Sequence, residues 1–247
     1  MTVLEQLLTK FNIQRPIHLT LLDPDKQSPE LAKSIATQAL AGGTAGIMIG
    51  GSVGVNQENL DATARIIKKH VPLPVILFPG DITGITHYAD AVFFMSLLNS
   101  RNPYYITGAQ SLGAPIIKKT GLESIPMGYI VIEPGGAVGV IGDAKLIPRD
   151  RGDIAASYAL AAQYLGMKLV YLESGSGVPK YLPSKMISQV KSVIDIPLIV
   201  GGGIKTEKDA LNVVKAGADI IVTGTLVENV ENVKESINKI TSAIEDY

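Results

Sequence analysis

Residues 216–225 read Ala216-Gly217-Ala218-Asp219-Ile220-Ile221-Val222-Thr223-Gly224-Thr225, and they echo Ala41-Gly42, which leads into Gly46-Ile47-Met48-Ile49-Gly50-Gly51-Ser52. In each copy an Ala-Gly pair closes one segment, a short apolar run follows, and a turn of small residues ends it. Two copies of one strand-centred unit point to a repeated βα design. Outward from them, apolar runs of strand length recur at Ile17 to Leu22, Gly46 to Ile49, Val75 to Phe78, Ala91 to Ser96, Gly128 to Ile132, Lys168 to Leu172, Leu198 to Val200 and Ile220 to Thr223. Segments with helical spacing lie between most of them: Pro29 to Leu40, Glu58 to His70, Gly152 to Leu165, Pro183 to Ile194 and Glu207 to Ala216, with Val230 to Ile244 closing the chain. Near-continuous apolar strands alternating with amphipathic helices imply parallel strands covered on both faces. The strand count predicts a closed (β/α)8 TIM-type barrel, one α/β domain over residues 1–247, with an open doubly wound sheet as the competing arrangement.

Two connections break the pattern. Pro79 to Asp90 holds Pro79, Gly80 and Gly84, too little helix-forming material for a full helix, so the third helix is expected to be reduced or replaced by a loop. Glu133 to Asp150 is rich in glycine and proline and long for a βα loop, which makes it a candidate lid.

The 247 residues are 46% hydrophobic with a mean hydropathy of +0.26, enough to bury a sizeable core. With 22 basic and 23 acidic residues the net charge is −1, and no Lys/Arg-rich run marks a nucleic-acid binder. The absence of cysteine removes disulfides, thiolate nucleophiles and thiolate metal sites, and His18, His70 and His87 lack metal-ligand spacing. A required cation would be Mg²⁺, which prefers oxygen ligands and shares its shell with substrate phosphates. No apolar run approaches the ~20 residues of a membrane span, so a cytoplasmic enzyme without stable membrane insertion is expected.

Three successive strand ends carry small residues: Glu173-Ser174-Gly175-Ser176-Gly177, Gly201-Gly202-Gly203 and Gly224-Thr225. In a barrel these ends meet at the catalytic face, where main-chain N–H groups and the hydroxyls of Ser174, Ser176 and Thr225 can hold a phosphate. Taken singly, each glycine fits a tight turn equally well. Glu173 can accept a proton from a substrate hydroxyl or cap its own loop. Tyr171 points to the same strand face and can orient substrate or pack in the barrel interior. Asp23, in Leu22-Asp23-Pro24-Asp25-Lys26, can ligate Mg²⁺ together with Ser52, although Asp-Pro is also ordinary turn chemistry.

Together, His18 to Lys26, Gly50-Gly51-Ser52, Leu98 to Tyr105 with Gly108-Ala109-Gln110, Tyr129 to Gly136, and Tyr171 to Gly177 resemble the geranylgeranylglyceryl phosphate synthase family, in order and over nearly the whole chain. The resemblance implies a prenyltransferase on a barrel lacking its third helix. It would join sn-glycerol 1-phosphate to geranylgeranyl diphosphate, the first ether-bond step of archaeal-type membrane lipids. It places Mg²⁺ at Asp23 and Ser52, and glycerol phosphate contacts at Tyr171, Leu172, Glu173, Ser174, Gly175, Ser176, Gly177, Gly202, Gly203, Gly224 and Thr225. Glu173 and Tyr171 then serve catalysis, and Phe78-Pro79-Gly80 with Tyr104 and Tyr105 mark the place to look for a prenyl channel. Some members have a basic residue where Leu21 or Leu22 stands, so diphosphate contacts from that position do not transfer. The chain is similar to the longer subgroup, which implies a homo-oligomer, a hexamer in many members. Without the resemblance, the glycine turns also suit a sugar-phosphate isomerase or lyase, or a barrel that binds phosphate or prenyl lipid without catalysis.

Overall fold

A computed structural model describes residues 1–13, 16–51, 56–228 and 231–245. Eight parallel strands close into a barrel in sequence order, β1 pairing with both β2 and β8. They are β1 (Ile17–Leu22), β2 (Gly46–Ile49), β3 (Val75–Leu77), β4 (Ala91–Leu97), β5 (Glu123–Val131), β6 (Leu169–Glu173), β7 (Leu198–Gly201) and β8 (Ile220–Thr223). The expected barrel is therefore the observed one. The fifth strand begins five residues before the start read from its apolar run, because Glu123 to Met127 continues the pairing with β4.

The helices are α1 (Val3–Ile13), α2 (Pro29–Ala41), α3 (Gln57–His70), α4 (Ala109–Thr120), α5 (Gly136–Ile141), α6 (Gly152–Tyr164), α7 (Ser184–Lys191), α8 (Glu207–Lys215), α9 (Thr225–Glu228) and α10 (Val233–Glu245). Local chemistry sets several starts. Ser28 accepts from Leu31 N–H ahead of Pro29 in α2, and Thr206 and Asp209 form a reciprocal capping box on α8. After β3 only a single 3-10 turn, Ile82–Gly84, stands where a helix would be, as Pro79, Gly80 and Gly84 predict. The sequence reading missed α4 and the wide π-type turn of Tyr104–Gly108 that leads into it. Gly113 and Pro115 weaken the helical signal there, yet the segment packs on the β4 flank.

Two apolar layers form the core. The barrel interior contains Leu19, Met48, Phe93, Met127, Tyr171 and Ile199, while alternate strand residues face the surrounding helices. α1 seals the N-terminal end of the barrel with Val3 and Leu7, and Glu123 at the start of β5 accepts the N–H groups of Val3 and Leu4 at the α1 N-terminus. The opposite end carries the strand termini that matter for function.

Candidate active site

Parallel register brings Glu173, the last residue of β6, beside Val131 of β5 and Gly201 of β7. Its side chain is 7% exposed, which disfavours a charge, but three donors surround it. Gly175 N–H donates to Oε1 at 2.6 Å, Tyr129 Oη–H donates to Oε2 at 3.1 Å, and the Tyr171 hydroxyl contributes a further bond. Burial prevails over these donors, so the Glu173 carboxyl lies above the usual glutamate range. Its capping of the loop and its presence at the cavity are thus compatible.

Tyr171 stands behind this carboxylate. It is 1% exposed and stacks on Phe78 at 5.4 Å between ring centroids, with Tyr129 edge-on at 5.2 Å. Its hydroxyl lies over Gly201, where an added Cβ would stand only 1.9 Å away. Burial drives the hydroxyls of Tyr129 and Tyr171 well above the usual tyrosine value, so both remain donors. Tyr129 borders the cavity; Tyr171 reaches it through Glu173. Tyr129 belongs to a quoted sequence motif but received no role there. The useful signal is its pairing position directly across from Tyr171.

The expected phosphate loop divides in two. Leu172 turns its side chain into the helical layer and is paired in the sheet with Ile130 and Val200. Ser174 is fully buried, and both its N–H and its hydroxyl donate to the Gly201 carbonyl, at 3.2 and 3.3 Å. Gly175 N–H is committed to Glu173. By contrast, Ser176 and Gly177 are exposed, and the N–H groups of Ser176, Gly177, Gly202 and Gly203 have no protein acceptor among the described residues. Gly202 and Gly203 have φ of 84° and 73°, and a Cβ on Gly203 would stand 2.4 Å from the Lys180 carbonyl carbon. Gly224 borders the cavity, and Thr225 begins α9.

A cavity of about 500 Å³ joins this polar face to the flank without a helix. Asp23, Glu173, Ser176 and Gly224 border one part of it; Phe78, Ile82, Ile85, Gly113 and Ile117 border another. The walls are thus polar at the strand ends and apolar toward α4. Tyr105 also borders it, whereas Tyr104 does not. The candidate lid is a built wall: Gly135 N–H donates to Ser174 O at 3.0 Å, Asn99 Nδ2 donates to Lys145 O at 3.0 Å, and α5 presents Ala137, Val138 and Ile141 to the cavity.

Asp23 lies at the cavity edge just past β1. Burial raises its carboxyl above the usual aspartate value despite the bond from Asp25 N–H and the charge of Lys26. A Cβ on Gly51 would stand 2.9 Å from Asp23 Oδ1, so glycine there leaves space at the carboxylate. The described residues contain no cluster of three His, Cys, Asp or Glu side chains able to hold a metal unaided. One accessible carboxylate fits Mg²⁺, which keeps waters and takes substrate phosphate oxygens as ligands. Ser52, the second expected ligand, lies outside the described residues.

The PcrB family model matches residues 10–244. The chain belongs to the PcrB family. The geranylgeranylglyceryl phosphate synthase of Methanothermobacter marburgensis is 58% identical to it over 231 residues, 94% of each chain. The Thermococcus kodakarensis protein of the same name is 59% identical over 224 residues, covering 91% of this chain and 89% of that one. A solved structure of the Thermoplasma acidophilum (S)-3-O-geranylgeranylglyceryl phosphate synthase, in complex with its substrate sn-glycerol-1-phosphate, superposes with a TM-score of 0.97 at 45% identity over all of both chains. Thiamine phosphate pyrophosphorylase of Pyrococcus furiosus, at 17% identity and a TM-score of 0.62, shares the barrel fold alone. Within this PcrB family chain, no described helix is long and apolar enough to cross a membrane.

Proposed function

We infer that this chain is a prenyltransferase joining sn-glycerol 1-phosphate to geranylgeranyl diphosphate, giving geranylgeranylglyceryl phosphate and diphosphate. The observation that carries this reading is a buried, donor-ringed carboxylate that borders, beside Ser176 and Gly224, a cavity with apolar walls. A sugar-phosphate isomerase would need the first feature and has no use for the second.

The residues assign the chemistry as follows. N–H groups of Ser176, Gly177, Gly202 and Gly203, with Gly224-Thr225 opposite, would hold the glycerol phosphate. Glu173 would orient the terminal glycerol hydroxyl and accept its proton while that oxygen bonds to the first carbon of the prenyl chain. The carbon–oxygen bond to diphosphate breaks in the same event, and the diphosphate leaves with the electron pair. A carboxyl above the usual glutamate range is a stronger base for this purpose. Tyr129 and Tyr171 fix its orientation, and the apolar walls exclude water that would hydrolyse the allylic donor. Asp23, with Ser52, would hold Mg²⁺, which when bound neutralises charge on the diphosphate.

A homo-oligomer, a cytoplasmic location and the C20 donor belong to the same proposal and rest on the family likeness. The deciding assay supplies Mg²⁺, labelled sn-glycerol 1-phosphate and prenyl diphosphates of graded length. An organic-extractable ether product, lost on chelation, is expected; no product with any donor refutes the reading.

A further inference from the structure

The charge around the cavity is one-sided. Asp23, Asp25, Asp81, Glu173 and Glu228 border it, and Lys26 is the single basic side chain among the described lining residues. A prenyl diphosphate must bring a polyanion to this acidic mouth, because its reacting carbon has to reach the hydroxyl held at Glu173. Leu21, which also borders the cavity, offers it no charge.

Lys26 is placed to meet it. The turn after β1 carries it, with Lys26 N–H donating to Asp23 O at 3.1 Å, and its side chain is 47% exposed. The ammonium donates to both Glu228 oxygens, at 3.0 and 3.2 Å, and lies 3.6 Å from Asp23 Oδ2. A group that already touches Asp23 can touch an anion coordinated through Asp23. The Glu228 pair is exposed enough to contribute little to stability, which makes it exchangeable.

Resting on the prenyltransferase reading above, we propose that Lys26 binds the diphosphate of the prenyl donor, and that Glu228 is its resting counter-ion, displaced when the donor arrives and re-paired when diphosphate leaves. Glu228 ends α9, the short helix that begins at Thr225. The exchange therefore ties the donor site to the strand end facing the glycerol phosphate.

Initial rates against each substrate test this with the wild type, Lys26→Met, Lys26→Arg and the double variant Lys26→Met/Glu228→Gln, folding being checked by circular dichroism. Lys26→Met is expected to raise KM for the prenyl diphosphate by about 10–100-fold and to leave KM for glycerol 1-phosphate within about two-fold. Lys26→Arg should retain most of the affinity. The double variant has the same net charge at this pair as the wild type, so it stays as weak as Lys26→Met if Lys26 is a direct ligand. Recovery in the double variant, or a donor KM within about two-fold of wild type in Lys26→Met, overturns the proposal. If the wild type makes no ether product, the function reading fails by itself. Calorimetric titration with inorganic diphosphate and Mg²⁺ then judges Lys26 separately: weaker binding by Lys26→Met supports its role, and equal binding refutes it.

Discussion

Gly201→Ala isolates the support beneath the buried Glu173 carboxylate, the proton acceptor of the proposed reaction. Gly201 lacks a positive φ, so alanine meets no backbone strain there and, given space, would stabilise the fold by about 0.4–1 kcal/mol through the unfolded chain. Space is what is missing: the new Cβ would stand 1.9 Å from Tyr171 Oη and 2.6 Å from Cζ. Tyr171 is 1% exposed and held between Phe78 and Tyr129, so it cannot swing aside without disturbing both. Overpacking costs about 1–3 kcal/mol. Losing the hydrogen bond to a charged Glu173 costs about 1.5–3 kcal/mol more. At about 2–4 °C per kcal/mol for a chain of this size, Tm should fall by on the order of 10 °C. Turnover should fall as well, because Glu173 loses one of its orienting donors. Thermal unfolding by circular dichroism and steady-state rates give both readouts. Placing the alanine in a Tyr171→Leu background should make the second change nearly free of cost. A Gly201→Ala protein as stable as wild type, with unchanged kcat, would show that the clearance over Gly201 supports nothing.

Glu173→Gln should preserve folding, lower kcat by about 100-fold or more, and remove the acidic limb of the kcat/KM profile; in the wild type that limb should lie above the ordinary glutamate value because burial raises this carboxyl. A limb that persists in the variant belongs to another group. His18 is buried between Thr44 and Thr223, and burial lowers its pKa from 6.5 to about 3, so below pH 6.5 the unfolded chain gains a proton that the native one refuses. Stability should therefore fall with falling pH by up to about 1.4 kcal/mol per unit in that window, and His18→Gln should flatten the slope seen in denaturant titrations at pH 6.5 and 5; equal slopes would exclude His18 as the source. Gly113→Leu adds a side chain at a position where even a Cβ lies 3.3 Å from Ile85 Cδ1 and borders the cavity, so the preferred donor should shift toward shorter prenyl chains in a donor-length series. An unchanged length profile would show that the prenyl chain does not reach α4.

The barrel and its missing helix were legible because both are written locally, in apolar runs of strand length and in Pro79-Gly80 with Gly84. The site was legible in outline only. Gly201, Gly202 and Gly203 look alike in sequence, yet the first clears space for Tyr171 and the next two adopt left-handed backbone. Ser174 and Ser176 likewise read as two phosphate donors, and only the packing of Ser174 on the Gly201 carbonyl separates them. Lys26 and Glu228 are 202 residues apart and signal nothing until barrel closure brings β1 against β8. Roles that depend on what crosses from a neighbouring strand cannot be read from a single strand.

The absent third helix and the buried acid address one physical problem. A closed eight-stranded barrel fills its interior with side chains, so a long apolar donor has no way through the centre to a reacting group at the strand ends. Omitting the helix between β3 and β4 leaves all eight strands paired while opening a side entrance, walled by Ile82, Ile85, Gly113 and Ile117. The same short connection starts with Phe78, whose ring turns into the barrel and stacks on Tyr171, directly behind Glu173. The residue at the opening thus also braces the carboxylate's support. Burial raises the basicity of Glu173, and the donors from Tyr129, Tyr171 and Gly175 offset part of that rise. Either feature alone would be a liability, an exposed apolar slot or an unpaired buried acid; together they suit the proposed reaction, in which a hydroxyl loses its proton beside a carbon that water must not reach.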